Sequence, residues 1–514
     1  MVSTRRPPET RRPRPARFPV SCQVAVLGGG LAGMATAARL QAAGVSTVVI
    51  EAHGHVGGCA GYYRKRGFSF DVGATTMVDF EPGGVGAELL DSVGMEPVPG
   101  ERLPGYVAWL PDRELVLHRD TRAWHRERLR ALGDTARHRA FWAELDRLAH
   151  VFWDASRAGV RLPMRRPSDL VHNLGAIGPR NLPLTRHMNT TLGQALSRHG
   201  LRGEAPLVGL LSMLVEDTVH STVDRAPLIN AALGVTIRGA GLTRATGGMR
   251  GFWRRFTEHY RTLGGQLRVG CAAQSVHGRA GAFEVLTSRG VVHTEQVVSA
   301  LPAATTARVV PALAAPLRPY LQRDEGDLGG AIVVFLGVPD DEVSGQEFTH
   351  HQLLQDYARP LGDGNNMFVS VSAPGDTDSA PPGHRAVMIS THTELADWEG
   401  LTAGDYERRR RETGERLVGL ARRVHPNLGE RARVWDVGTP RTYERYAFRP
   451  RGAVGGARQT PSNANQNAIP HSLGVPGLWL TGDSTWPGLG TVSCALGSRI
   501  VAARALKAAR RTAR

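Results

Sequence analysis

Between residues 24 and 51, short hydrophobic runs alternate with a glycine-rich turn and a helical stretch. The apolar run 24–27 leads into the turn and then into an Ala-rich stretch, which Gly44 ends as a glycine commonly ends a helix. A β-branched run, 45–50, then ends in Glu51. This order of strand, turn, helix, strand and acid predicts a βαβ unit that binds a dinucleotide.

The glycine turn has the spacing that such a unit needs. Gly28 permits the tight turn, Gly30 lets the backbone approach a pyrophosphate, and Gly33 lets the helix pack against the strand. The N-terminus of the helix then points its free N–H groups at the phosphates. Glu51 follows the third glycine by 18 residues, which is close to the spacing of an acid that binds ribose hydroxyls and disfavours NADP.

The middle of the chain changes character twice. From about residue 121 to 230 the spacing of apolar residues is mostly helical. Residues 207–215 are its most apolar part, and they suit a buried core, the wall of a hydrophobic tunnel or a face that dips into a membrane. Residues 303–430 combine strand-like runs with one long helix. A second, mixed region is therefore expected between parts of the nucleotide-binding region.

Composition excludes several classes of protein. Hydrophobic residues make up 41% of the chain and charged residues 21%, which is an ordinary globular composition. Four cysteines, all far apart, exclude a disulfide scaffold, and no His/Cys cluster indicates a metal site. No run of 18 apolar residues occurs, so a transmembrane helix is not expected. These features predict a reduced, cytoplasmic protein.

The net charge of +16 comes almost entirely from arginine, since Lys65 and Lys507 are the only lysines. Such a charge suits an anionic membrane or nucleic acid as partner, or it reflects the composition of the source genome, and both interpretations stay open. No nucleic-acid-binding motif occurs, so no nucleic-acid partner is predicted. Residues 1–20, with six arginines among the first 17, are predicted to be a disordered basic tail.

A second glycine pair, Gly57-Gly58, and the segment GFSFDVG (67–73) follow Glu51. Near the other end of the chain, about 450 residues on, a strand ends in Gly482-Asp483 and a helix follows GDSTWPGLGTV. Together these motifs resemble the family of FAD-dependent amine oxidases and carotenoid desaturases, and the resemblance covers most of residues 22–507. It implies that the cofactor is FAD.

The resemblance also implies roles for individual residues. The counterpart of Asp483 binds the ribityl and pyrophosphate region, and the loop and helix N-terminus after it lie beside the flavin, where positive charge stabilises the reduced form. Cys59 stands where the family usually has Arg, and we interpret it as a small packed residue rather than a redox thiol. The candidate cofactor-binding residues are Gly28, Gly30, Leu31, Ala32, Gly33, Glu51, Gly57, Gly58, Cys59, Ala273, Gly482, Asp483, Gly490, Thr491 and Val492.

The predicted fold class is α/β, with a Rossmann-like FAD-binding domain and a discontinuous mixed α+β substrate domain. The FAD-binding domain is predicted at 21–100, 224–302 and 432–514. The substrate and membrane-binding domain is predicted at 101–223 and 303–431. No catalytic residue and no metal ligand is predicted, because Glu216, Asp217 and His220 are interpreted as surface or packing residues.

Within the family, GTPRTYERY (438–446) and the ending GDSTWPGLGTVSC look like the carotenoid 3,4- (3′,4′-) desaturases. The resemblance implies formation of a C=C bond, at C-3′,4′, in a hydroxylated monocyclic or acyclic carotenoid, with hydride transfer to flavin and reoxidation by oxygen or a quinone. A bilayer-dissolved substrate implies a peripheral protein at the inner face of the cell membrane. A carotenoid cis–trans isomerase, a soluble amine or small-molecule oxidase and a non-catalytic carotenoid carrier are the alternatives.

Overall fold

The computed structural model describes residues 20–512. The predicted basic tail, apart from Val20, lies outside the described residues. The chain folds as a mixed α/β protein built on two large sheets, as the fold class predicts. None of the helices within residues 20–512 is both long and apolar enough to cross a bilayer.

Nineteen strands are assigned in the described part of the chain. They are β1 Val20–Leu27, β2 Thr47–Ile50, β3 Tyr62–Lys65, β4 Phe68–Asp71, β5 Met77–Val78, β6 Gly100–Arg102, β7 Gly105–Trp109, β8 Glu114–His118, β9 Leu242–Ala245, β10 Gln266–Arg268, β11 Ala273–Arg279, β12 Ala282–Thr287, β13 Gly290–Ser299, β14 Gly330–Pro339, β15 His350–Leu354, β16 Asn366–Val371, β17 His384–Thr393, β18 Val434–Gly438 and β19 Leu478–Leu480.

Fourteen α-helices accompany them within residues 20–512. They are α1 Leu31–Ala42, α2 Val85–Val93, α3 Thr121–Leu132, α4 Ala136–Arg157, α5 Pro167–Ile177, α6 Leu192–Arg198, α7 Ala205–Val219, α8 Leu228–Val235, α9 Gly248–Thr262, α10 Ala303–Val309, α11 Ala314–Asp324, α12 Ala403–Ala421, α13 Pro440–Ala447 and α14 Thr491–Thr512.

The first sheet contains the predicted βαβ unit. β1 pairs in parallel with β2 on one side and with β13 on the other, and β19 pairs in parallel with the end of β13. The side chains of β1 alternate between two buried layers. Val24 and Val26 face the layer of α1 and α14, whereas Ala25 and Leu27 face the layer of α10 and α11. A sheet covered by helices on both faces is the Rossmann-like arrangement that the sequence predicts.

The second sheet has the order β18-β14-β17-β16-β15-β7-β8. α12 packs on one face of this sheet, and the helices α3, α4, α7 and α8 form an apolar layer next to its β7–β8 end. The buried apolar side chains of α4 belong to that layer, and so do those of residues 207–215 of α7. Residues 207–215 are therefore largely core, because most of their side chains are buried.

The domain limits stay a prediction, but two elements bear on them. β18 pairs with β14 of the second sheet, although the last part of the FAD-binding domain was expected to begin at residue 432. α8 packs with α4 and α7, although the middle part was expected to begin at residue 224. We therefore propose later limits, after β18 and after α8, for these two parts.

A buried ion pair joins two distant segments of the chain, at β4 and β9. Arg244 of β9 lies 2.7 Å from the Asp71 carboxylate of β4, and both side chains are 4% exposed. The other oxygen of Asp71 accepts the backbone N–H of Met249 at the start of α9, at 2.7 Å. We call these two contacts the Asp71 clamp. They hold β4, β9 and the start of α9 together at a single buried carboxylate.

Arg244→Met removes the counter-charge of the Asp71 clamp and leaves the carboxylate buried, which costs about 3–5 kcal/mol in comparable pairs. We expect the free energy of unfolding, measured by denaturant titration of the FAD-loaded protein, to fall by about that amount. Arg139→Met is the control, because it removes only the solvent-exposed partner of Asp134. Equal denaturation midpoints for the two variants would contradict a stabilising role for the clamp.

Candidate active site

A cavity of about 450 Å³ lies where the first and second sheets meet. The glycine turn after β1, the loop after β19 and residues of the second sheet all contribute to its wall. Every predicted cofactor-binding residue lies on this wall except Val492. Val492 packs among apolar side chains of the helical layers instead. The structure thus brings together residues from both ends of the chain.

The glycine turn leaves room for a ligand at one particular position. A Cβ atom at Gly33 would lie 2.1 Å from the carbonyl oxygen of Gly28, so Gly33 is required by the packing of the protein itself. A Cβ atom at Gly30 would meet no protein atom within 4 Å. Gly30 is the N-cap residue of α1, and the first turn of that helix lines the cavity. The open position therefore suits an anionic group such as a pyrophosphate.

Glu51 is held in place at the end of β2. One carboxylate oxygen accepts the N–H of Gly29, and the other accepts the N–H of His53, both at 2.6 Å. Burial raises the pKa of Glu51, although these hydrogen bonds oppose the rise. Gly57 donates to the carbonyl of Gly29 at 2.9 Å, so the second glycine pair packs directly on the first glycine turn. The two turns form one backbone cradle for a dinucleotide.

The loop after β19 carries a charged contact that sequence reasoning missed. Asp483 lies 2.8 Å from the guanidinium of Arg449, whose side chain is only 11% exposed. The same guanidinium donates to the carbonyls of Ala453, at 2.5 Å, and Gly455. Arg449 thereby ties the loop 449–455 to the cofactor cradle. No sequence motif distinguishes Arg449 from the other arginines among the 61 in the chain.

The end of α7 brings polar side chains to the cavity wall. Asp217 and His220 line the cavity, whereas both are interpreted from the sequence as surface or packing residues. His220 follows the helix in the left-handed conformation, with φ of 54°. Its ring fills the space beside Gly455, where an added Cβ would lie 2.6 Å from the imidazole. A glycine is needed at that position for the ring to fit.

Two histidines of the cavity wall lie close together, and one of them contacts a carboxylate. His392 Nδ1 of β17 lies 3.5 Å from Glu216. Burial alone would lower the pKa of His392, but the Glu216 and Asp217 carboxylates together outweigh burial and the pKa is raised. The ring of His220 is 4.8 Å from that of His392. Burial, together with the charge of His392, lowers the pKa of His220 well below its usual value. The neighbouring carboxylates therefore favour the protonated form of His392, whereas burial favours the neutral form of His220.

No group of three or more His, Cys, Asp or Glu side chains within residues 20–512 could hold a metal ion. The histidines beside the cavity contact a carboxylate, a backbone carbonyl or one another instead.

Comparison with known families agrees with this geometry. The sequence pattern of the family described as "Flavin containing amine oxidoreductase" matches residues 31–506. The chain belongs to this family. It is an FAD-dependent oxidoreductase, and the open position at Gly30, the carboxylate of Glu51 and the two helix N-termini fit FAD. We therefore propose the cavity-lining residues predicted from the sequence as the FAD-binding residues.

Several characterised members of the family share low identity with this flavoprotein over most of its length. "Prolycopene isomerase, chloroplastic" of Daucus carota is 24% identical, over 93% of this chain and 79% of that protein. "4,4′-diapolycopene oxygenase" of Methylomonas sp is 25% identical, over 93% of this chain and 97% of that protein. "4,4′-diapophytoene desaturase" of Staphylococcus aureus is 20% identical, over 74% of this chain and 78% of that protein.

Solved structures of flavin oxidases share the fold. Cyclohexylamine oxidase from Brevibacterium oxydans superposes with a TM-score of 0.61, covering 96% of this chain and 100% of that chain at 16% identity. At this identity the likeness shows the fold alone. It places the two-sheet architecture described above among known amine oxidase structures.

Gly30→Val tests the dinucleotide cradle without disturbing protein packing. The added Cβ atom meets no protein atom within 4 Å, so we expect the protein to fold, while the side chain fills the space for the pyrophosphate. We expect FAD affinity to fall by about tenfold or more, as for other overpacked contacts. The measurement is the ratio of flavin to protein absorbance after gel filtration.

Gly54→Val is the matched control, because Gly54 also has open space around it but does not line the cavity. Unchanged FAD content in both variants would contradict the proposed position of the pyrophosphate.

Proposed function

We propose that the protein is a carotenoid desaturase that forms the C-3′,4′ double bond in a hydroxylated monocyclic or acyclic carotenoid. The observation that carries this proposal is the continuity of the cavity. It runs from the cofactor cradle to a wall that includes Met213, Val333, Met367 and Phe368, without a break. Such a wall suits a polyene, and the three relatives described above are named for carotenoid-type substrates.

The protein's share of the chemistry would be positioning and exclusion of water. FAD, when bound, supplies hydride transfer. The apolar wall holds the polyene beside the cradle and keeps solvent from the reacting bond, while conjugation in the substrate stabilises developing positive charge. Oxygen or a quinone would then reoxidise the cofactor.

Isomerisation is the second candidate function. The similarity to the carrot prolycopene isomerase extends over 93% of this chain, and the same apolar cavity would serve that reaction. An isomerase leaves the mass of the carotenoid unchanged, whereas a desaturase removes two hydrogens. The mass of the product therefore separates the two functions.

The decisive experiment is anaerobic incubation of the FAD-loaded protein with a hydroxylated acyclic carotenoid in liposomes. We expect bleaching of the flavin spectrum and a red-shifted product that is lighter by two hydrogens. The Gly30→Val variant serves as the control for cofactor-dependent turnover. A product of unchanged mass, with no bleaching, would favour the isomerase. Peroxide release with a polar amine and no reaction with carotenoid would contradict both.

We also propose that α5 and the segment after it bind the membrane surface from the cytoplasmic side. Three apolar side chains of α5 are exposed, Leu170 at 49%, Val171 at 70% and Leu174 at 40%. The surrounding segment 161–189 contains five arginines and one acid, Asp169, whose carboxylate is buried. Exposed apolar residues flanked by cations suit an anionic lipid surface.

Replacing Leu170, Val171 and Leu174 together by Ser removes the apolar part of this surface. We expect binding to vesicles that contain phosphatidylglycerol to fall by about tenfold or more, because each buried CH₂ contributes about 0.8 kcal/mol. Co-sedimentation at low salt measures the bound fraction. Leu286→Ser, at an exposed leucine of β12, is the control. Equal sedimentation of both variants would exclude α5 as the docking surface.

A further inference from the structure

Five carboxyl or imidazole side chains line the cavity among the residues that the structure describes: Glu51, Asp217, His220, His392 and Asp483. Desaturation removes one hydrogen with its bonding electrons and a second one as a proton. If the proposed function is right, one of these groups is therefore available to receive a proton. The hydrogen bonds and neighbouring charges of the five groups differ, and these differences show which group is free to accept a proton.

Two of the five are already committed to the cofactor cradle. Both carboxylate oxygens of Glu51 accept backbone N–H groups at 2.6 Å. Asp483 is paired with the guanidinium of Arg449 at 2.8 Å. This ion pair occupies the Asp483 carboxylate.

The two histidines are also unsuited. His392 is engaged by Glu216, which lies 3.5 Å from its Nδ1, so this nitrogen is already paired with a carboxylate. His220 bonds to the backbone of Val454, and burial lowers its pKa well below the usual value, so it binds a proton weakly. Glu216 itself is occupied by His392 and by the amide of Asn366.

Asp217 is different in its contacts and its surroundings. The side chain of Asp217 is exposed to the cavity rather than to bulk solvent. Protein surrounds the cavity at this position. It accepts one side-chain hydrogen bond, to Oδ2 from the amide of Gln352 at 3.2 Å, and Gln352 is 3% exposed. The neighbouring wall includes Met213, one turn earlier on α7, and Phe368. Gln352 thus fixes the carboxyl group while Oδ1 stays open.

We propose that Asp217 is the catalytic residue that receives the substrate proton, with Gln352 as its positioning residue. One carbon gives up a hydrogen together with both bonding electrons, which FAD accepts. The adjacent carbon releases a proton to Oδ1 of Asp217, and the electrons of that C–H bond become the new C=C bond. When the product leaves, the proton passes from Asp217 to water. The substrate loses two hydrogens in total, and the carboxylate is restored.

The surroundings of Asp217 set the pH range in which it can act. Glu216 precedes it on α7, His392 faces it from β17, Tyr106 from β7 and Arg238 from the chain after α8. His220, which follows α7, lines the same cavity. Burial raises the pKa of Asp217 in spite of the positive charges of His392 and Arg238. A carboxyl group accepts a proton only when ionised, so the rate should fall on acidification at a pH above the ordinary aspartate value of about 3.9.

Asp217→Asn is the principal test, because it keeps the size of the side chain and removes its basicity. With FAD-loaded protein and a hydroxylated acyclic carotenoid in liposomes, we expect kcat to fall by about a hundredfold or more and the acidic limb of the pH profile to disappear. FAD content and the shift of carotenoid absorbance on binding should stay as in the wild type. Asp217→Glu should restore part of kcat and the acidic limb.

Asp224→Asn is the matched control, since Asp224 lies outside the cavity and pairs with Arg202 at the surface. Desaturation by the wild type with equal kcat for Asp217→Asn would overturn the role of Asp217 and leave the proposed function standing. A wild type that gives no product lighter by two hydrogens would overturn both. Loss of bound FAD or of carotenoid binding in Asp217→Asn and Asp217→Glu alike would assign a structural role instead.

Discussion

Parallel pairing of three strand ends is the constraint on which the rest of the molecule depends. Leu27 pairs with Ser299, and Ser299 pairs with Leu480, so β1, β13 and β19 end side by side. Because the carboxyl ends of parallel strands lie at the same edge of a sheet, the glycine turn and Asp483 are close in space although they are far apart in sequence. The cavity forms at that edge, where the second sheet closes over it.

Sequence reasoning could reach the parts of this arrangement that local pattern encodes. The glycine spacing, the β-branched runs and the terminal Gly-Asp turn predicted the cradle, because each needs particular residues at particular backbone positions. Val492 was predicted to line the cavity but does not. Successive side chains of a helix point about 100° apart, and its neighbour Thr491 faces the cavity instead. Gln352 and Asp217 could not be paired in advance, because their contact joins β15 to α7 across 135 residues.

Charge is used in two different ways in this arginine-rich chain. Arg244 and Arg449 are buried and each holds one carboxylate, so their positions are set by packing and by the cost of an unpaired charge. The arginines around α5 lie at the surface beside exposed apolar residues. The net charge of +16 therefore combines arginines with different roles. The positions of the arginines in the fold distinguish those that hold a buried carboxylate from those that face a partner.

The distance in sequence between the two halves of the cradle has a consequence for synthesis of the protein. A chain still emerging from the ribosome contains the glycine turn long before β19 and α14 exist. Until those elements arrive, the edge of the first sheet lacks a strand, and Asp483 and the helix N-terminus at Thr491 are missing from the site. Cofactor capture is thereby coupled to the synthesis of β19 and α14, and the stabilisation that a bound ligand gives reaches only molecules that contain both elements.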